Sequence, residues 1–193
     1  VRIVSVGRLA VLVEVSSPQD AVDLAGWARE RRLAREVVPG AESVLLDGIG
    51  EPDRLAERLT RWRPGSAAEG PAVELAVTYD GPDLGYVADT WGCAEQEVVA
   101  RHQATGFVSA FCGFAPGFAY LAGLSDAVPR LETPRTRVPA GSVALAGSWC
   151  GVYPGESPGG WRIIGRTDAV LWDPTSAEPA LLAPGTRVRF VGR

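Results

Sequence analysis

From Phe107 onward the sequence breaks into short strand-like runs at 107–114, 143–146, 161–164, 169–172 and 187–191, with glycine and proline set densely between them. A helix does not persist through such punctuation, because proline removes a backbone donor and glycine loses the most conformational freedom on ordering. Short strands joined by tight turns do, so this half of the chain predicts a β-sandwich or barrel. Residues 1–68 read differently. Strand-like segments at 2–6 and 9–15 precede a helix with Ser17 as N-cap, Pro18 in the first helical position and Asp20 in the first turn. Ala21, Leu24, Ala25 and Ala28 continue it at helical spacing through Arg32. Two more strands are expected at 37–38 and 43–46 around Pro39–Gly40, and Leu55, Leu59 and Trp62 mark a second amphipathic helix. The order ββαββα requires an antiparallel sheet with helices on one face.

Periodicity stops in 64–72, PGSAAEGPA, which sets a boundary between an α+β domain at 1–68 and a second domain at 73–193. The second domain opens on a strand in which Val73, Leu75, Val77 and Tyr79 alternate with Glu74, Ala76 and Thr78. Short helices near 84–89 and 94–104 follow, stopped by Gly92 and Gly106.

Composition narrows the chemistry. The 193 residues are 46% apolar and 22% charged, enough to bury a sizeable core. With 19 basic against 23 acidic residues and no dense run of arginine, a nucleic-acid partner is not expected. No apolar stretch approaches the roughly 20 residues of a membrane span and no leader pattern opens the chain, so a cytoplasmic, non-membrane protein is expected. Cys93, Cys112 and Cys150 are odd in number and widely spaced, which suggests reduced packing residues rather than disulfides or a metal knuckle. Every basic residue is arginine and His102 is the single histidine. A Walker lysine, a Schiff base, a Ser-Ser-Lys amidase centre and a multi-histidine metal site are thereby excluded from this sequence.

The unusual residues gather in GFAPGFAYLAGL at 113–124, TPRTRVPAGSV at 133–143 and GVYPGESPGGWRIIGRT at 151–167. Within the last, 155–159 satisfies GxSxG, yet Pro158 has no N–H to give an oxyanion and no helix follows, so Ser157 is not read as a nucleophile. His102 ends a predicted helix, where a cation gains roughly 0.3–1 kcal/mol from the helix dipole. A pairing of His102 with Cys112 or Cys150 would require closeness in space. If extended, Arg135 and Arg137 point to the same side, opposite Thr136, and two guanidinium forks suit a carboxylate or phosphate. The competing reading is a structural ion pair with Glu132 or Glu156. Trp161 and the phenylalanines of the first block fit a barrel core better than a ligand platform.

These three phrases, with VGRLAVLVE at 6–14, YDGPDL at 79–84 and PGTRV at 184–188, resemble the PxpB/KipI family, also called allophanate hydrolase subunit 1, over nearly the whole chain. The resemblance implies an N-terminal α+β domain followed by a cyclophilin-like β-barrel. It also implies a KipA/PxpC-like partner and a PxpA-like subunit in ATP-dependent opening of 5-oxoproline, with ATP used by the complex rather than by this chain alone. A histidine stands at the His102 position in the family, which gives that residue a site role. The expected site groups Glu156, His102 and Arg137 as catalytic residues with Arg135, Tyr153, Ser157, Gly159, Gly160 and Arg166 around a small cyclic amide or ureido substrate. Glu156 would orient donors or take a proton, and Gly159 and Gly160 would allow close backbone approach. The alternative implied by the resemblance is a KipI-like inhibitor of a histidine kinase without catalysis; prolyl isomerase activity rests on fold analogy only. Three departures stand out: Arg8 in place of an acidic residue, a short segment between Leu124 and Thr133, and Ser148-Trp149-Cys150 in place of Gly-Gln-Thr.

Overall fold

In the computed structural model, which describes residues 2–50, 52–65 and 70–193, Ser17 opens the first helix as its position predicts. Its hydroxyl accepts from the Asp20 backbone N–H at 3.1 Å. The chain divides into two units, Val1–Gly70 and Pro71–Arg193. Of the expected linker at 64–72, residues 66–69 lie outside the described residues.

The first unit holds strands β1 (Arg2–Ser5) and β2 (Ala10–Glu14), helix α1 (Pro18–Glu30), strands β3 (Glu36–Pro39) and β4 (Ser43–Asp47), and helix α2 (Pro52–Leu59). The strands form an antiparallel sheet in the order β1-β2-β4-β3. Alternation puts Val13, Val44 and Leu46 on one face, where Ala21, Leu24, Ala25 and Ala28 of α1 close the core. Each large side chain buried there contributes about 1.5–3 kcal/mol relative to exposure. Trp62 lies past the end of α2 and still joins this core.

The second unit runs β5 (Ala72–Val77), α3 (Leu84–Trp91), α4 (Glu95–Ala104), β6 (Phe107–Cys112), β7 (Ala119–Ala122), β8 (Arg135–Val138), β9 (Ser142–Ala146), β10 (Trp149–Val152), β11 (Ser157–Gly159), β12 (Arg162–Arg166) and β13 (Arg187–Gly192). Seven strands make one sheet, β12-β9-β10-β7-β6-β13-β5, and β11 pairs with β8 as a separate ribbon. The sheet closes on itself beyond β5. Thr78 and Arg166 exchange backbone hydrogen bonds of 2.9 Å, and the Gly81 and Asp83 N–H groups donate to the Ile164 and Ile163 carbonyls. This seam requires glycine on both sides: a Cβ on Gly81 would lie 2.3 Å from the Ile163 carbonyl oxygen, and one on Gly165 2.5 Å from that of Thr78. The result is the nearly closed β-barrel that the Gly/Pro punctuation predicts.

Two expected strands are corrected. The run 169–172 is irregular: Leu171 turns into the core while Val170 and Trp172 face solvent. Its backbone pairs with the returning loop, through the Leu181 N–H to Leu171 and a bridge from Trp172 to Ala180, rather than with the sheet. The run 107–114 stops at Cys112, because Phe114 adopts φ +69°. No helix among the described residues is long and apolar enough to cross a membrane.

The wall formed by β9 and β10 has two covered faces. Val143, Leu145, Cys150 and Val152 point into the barrel toward Phe107 and Phe190. Ala144, Ala146 and Tyr153 belong to a second cluster with Phe118, Trp161 and Val138 of the β8–β11 ribbon. That second cover explains why β9 is buried at every residue.

Candidate functional site

The period-two alternation of β10 decides what each residue of its block does. Cys150 and Val152 go inward; Trp149 and Tyr153 go outward, onto the face that the aromatic residues cover. There they line a cleft of about 310 Å³ with Phe114, Phe118, Tyr120 and Trp161. The rings meet edge to face: Phe118 lies 5.4 Å from both Tyr153 and Trp161, and Tyr120 lies 5.5 Å from Trp161. Such contacts add about 0.5–1.5 kcal/mol each beyond burial and make the walls stiff. Phe118 and Trp161 are core residues, as expected, whereas Phe114 is 61% exposed.

Arg130 stands in the same cleft, beside Gly160. It is exposed and makes no ion pair among the described residues. No aspartate, glutamate or histidine lines the cleft among the described residues. Burial pushes the Tyr153 hydroxyl above its ordinary pKa, while the Trp161 backbone N–H and the Arg130 charge draw it partly back. The arrangement suits a flat, partly apolar ligand carrying one negative group.

The expected site residues fall into separate places. Tyr153, Gly159 and Gly160 line the aromatic cleft. Gly159 is not open to a ligand: the space of its missing Cβ is taken by the Tyr153 hydroxyl, 2.3 Å away. Arg135, Arg137 and Arg166 line a different cleft of about 370 Å³ beside the barrel seam. The two arginines of β8 do share a side, as the extended reading requires, but each has a carboxylate. Arg135 donates to Asp83 at 2.9 Å, Arg137 to Glu156 at 2.6 Å and Arg166 to Asp80 at 2.9 Å. Asp83 also accepts the Ile163 backbone N–H at 2.6 Å and is 5% exposed, so it ties β8 to the seam. The Arg137–Glu156 pair is open to solvent, with side chains 75% and 51% exposed. Ser157 sits in β11 with its buried hydroxyl unpartnered among the described residues and lines neither cleft.

His102 is corrected more fully. It is completely buried, so it is no helix-capping cation, and it reaches neither cleft. Its ring packs between Phe107 and Phe190. Nδ1 lies 2.8 Å from the Tyr79 hydroxyl and Nε2 3.4 Å from the Cys150 thiol. Burial pushes the imidazole down to about 3 and raises Tyr79 and Cys150 above their ordinary values, so all three are neutral. Cys150 and His102 are thus close in space, but as thiol and neutral imidazole inside the barrel, not as a reactive ion pair. Cys112, expected in packing, is exposed.

Reading by residue type missed Arg130, Phe114 and Trp149 as cleft residues. The signal for Trp149 was present: it occupies the position where the resemblance expects glutamine.

Residues 1–182 match the family described as carboxyltransferase domain, subdomain C and D. A 5-oxoprolinase subunit of Escherichia coli is 41% identical over 96% of this chain and 93% of its own length. The protein of the same name in Haemophilus influenzae is 36% identical over 86% of this chain and 84% of its own. Among solved structures, a conserved uncharacterized protein of Pyrococcus horikoshii superposes with a TM-score of 0.62 at 35% identity, covering 100% of this chain and 97% of that one. TTHA0988 superposes with a TM-score of 0.77 at 33% identity; this chain is covered to 95% and spans 40% of that protein. The urea carboxylase of Kluyveromyces lactis, at 18% identity and a TM-score of 0.72 over 99% of this chain and 21% of its own, shares the fold. The chain belongs to the carboxyltransferase subdomain C and D family.

Proposed function

We propose that this chain is a non-autonomous subunit of a 5-oxoprolinase-type complex and that its aromatic cleft holds the small cyclic amide. A KipA/PxpC-like subunit, with a PxpA-like one, completes the site and handles ATP. The reading is supported by the two relatives that are 5-oxoprolinase subunits, which favour an enzyme subunit over a kinase inhibitor. The observation that carries it is the pairing of an aromatic-walled cleft with an arginine that no carboxylate among the described residues neutralises. 5-Oxoproline is a nearly flat lactam with one carboxylate: its ring fits the aromatic walls and its charge fits Arg130, a charge-assisted contact worth about 1.5–3 kcal/mol.

The division of labour follows from what the cleft contains. It binds and orients; it holds no group to take a proton or attack a carbonyl among its described residues. The chain has no lysine to cradle phosphate, so ATP is assigned to another subunit, where it supplies the driving force for opening the ring. The isolated chain is therefore expected to show neither ATPase nor amidase activity. Coexpression with a KipA/PxpC-like subunit should give a stable heteromer burying more than about 1,000 Å². Reconstitution with both partner types should then give 5-oxoproline-dependent ATP hydrolysis. Partners that stay separate at micromolar concentration in light scattering, or a reconstituted complex indifferent to 5-oxoproline, refute the proposal.

A further inference from the structure

Phe114 combines two features that a chain selected for stability alone avoids. Its backbone is left-handed at φ +69°, where a bulky L-residue is strained. Its ring is 61% exposed at the mouth of the aromatic cleft. Glycine would relieve the strain and a polar side chain would remove the exposed apolar surface, yet phenylalanine stands there.

The turn that carries it is built to present the ring. The Gly113 N–H donates to the Phe118 carbonyl at 3.2 Å, the Phe118 N–H to Ala115 at 3.0 Å and the Ala115 N–H to Gly113 at 2.8 Å. Pro116 fixes one backbone angle, and Gly117 is pressed on the next layer, its missing Cβ only 2.8 Å from the Cβ of Trp172. The ring meets Phe118 and Tyr153 at 73° and 84°, so among the described residues no other ring lies parallel to it.

We infer that Phe114 is a ligand-stacking residue, whose ring takes the flat face of the cyclic amide while Arg130 takes the carboxylate. The inference rests on the reading of this cleft as the substrate site. A planar amide ring stacks on an aromatic face by dispersion and by loss of apolar surface to water, neither of which depends on the ligand's charge. Stacking and charge recognition are therefore separable.

The test uses the 193-residue chain, ligand-observed NMR titration and melting temperature, with 5-oxoproline and uncharged 2-pyrrolidone as probes. Phe114→Gly is expected to weaken both ligands about tenfold while leaving the melting temperature equal or higher, and Phe114→Tyr to bind both within about threefold of wild type. Arg130→Ala should weaken 5-oxoproline and leave 2-pyrrolidone unchanged. If Arg130→Ala spares both ligands while Phe114→Gly weakens both, the carboxylate assignment falls and the stacking stands. Unchanged binding by Phe114→Gly overturns the inference, as does a fall in melting temperature of more than about 5 °C, which marks the ring as packing. Loss of assembly with the partner subunit while ligand binding is unchanged marks it as a docking anchor and also overturns it. Failure of the wild-type chain to bind either probe overturns the inference and the reading of the cleft together.

Discussion

The aromatic cleft and the cleft beside the seam, both on the barrel unit, use their arginines in opposite ways. Beside the seam, Arg135, Arg137 and Arg166 each face a carboxylate of the same chain: Asp83, Glu156 and Asp80. In the aromatic cleft, Arg130 faces rings and, among the described residues, no carboxylate. Charge matched within the chain stabilises or decorates the fold, and charge left unmatched is available to a ligand. The contrast also orders the seam arginines by burial, from the tie at Asp83 to the open pair at Glu156, and four experiments test it.

The largest effect is expected at Asp83. Its carboxylate is 5% exposed, accepts from Arg135 and from the Ile163 N–H, and lies 3.8 Å from Arg162. Removing it leaves two guanidinium groups without their anion and a buried N–H without an acceptor. Asp83→Ala should destabilise the barrel unit by about 3–5 kcal/mol, measured by urea unfolding followed through tryptophan fluorescence. A loss below about 1 kcal/mol would show that the charged cleft is not part of the seam. Next comes Arg130→Ala in the reconstituted complex, expected to cut 5-oxoproline turnover per KM about 100-fold, or nearly 3 kcal/mol, with stability unchanged. An intact kcat/KM would erase the difference between the two clefts.

How far these places could be read in advance depended on whether local or tertiary physics decides them. Ser17 and Pro18 announce α1 through contacts within one turn, and the structure has the helix there. The barrel was legible from turn punctuation, yet β7, β10 and β11 were hidden among the same glycines and prolines, because their pairing depends on distant partners. Arg137 and Glu156 meet only through the β8–β11 register, which places Ser157 opposite Val138. Arg130 lies in an aperiodic segment, and its lack of an ion-pair partner among the described residues is a fact about the folded surface that no spacing encodes. His102 follows the same rule: its helix end favours a cation locally, and the barrel interior overrides that by desolvation.

The third experiment follows from that override. His102 is held neutral down to about 3 in the folded chain, against about 6.5 when unfolded. The unfolded chain therefore binds a proton between these values that the folded chain refuses. Stability from this group is fully present above about pH 6.5 and is lost as pH falls toward 3, on the order of 1 kcal/mol per pH unit. Tyr79 and Cys150, the titratable groups facing the ring, have raised values and do not ionise in that window. His102→Gln should have lower stability near neutrality and a flatter stability profile between pH 6.5 and 5, where carboxylates contribute little. An equally steep profile in the variant would show that the histidine is not the titrating group.

The smallest effect is expected where residue type alone most strongly suggests chemistry. Arg137 and Glu156 combine a guanidinium, a carboxylate and a Gly/Pro-shaped turn, and they are 2.6 Å apart. Their exposure decides how that distance should be weighed: at 75% and 51%, both side chains are solvated whether paired or not. The Coulomb gain is then offset by water and by the entropy of holding two flexible chains, leaving about 0–1 kcal/mol. Arg137→Ala and Glu156→Gln should each leave unfolding free energy within that range and change turnover of the reconstituted complex less than about threefold, under 1 kcal/mol in the barrier. Because an exposed pair is free to break, the result also separates two states of the cleft. If either variant loses turnover about tenfold or more while assembly and melting temperature hold, the pair opens in the complex, its groups meet substrate or partner, and the line drawn between a matched and an unmatched cleft does not survive assembly.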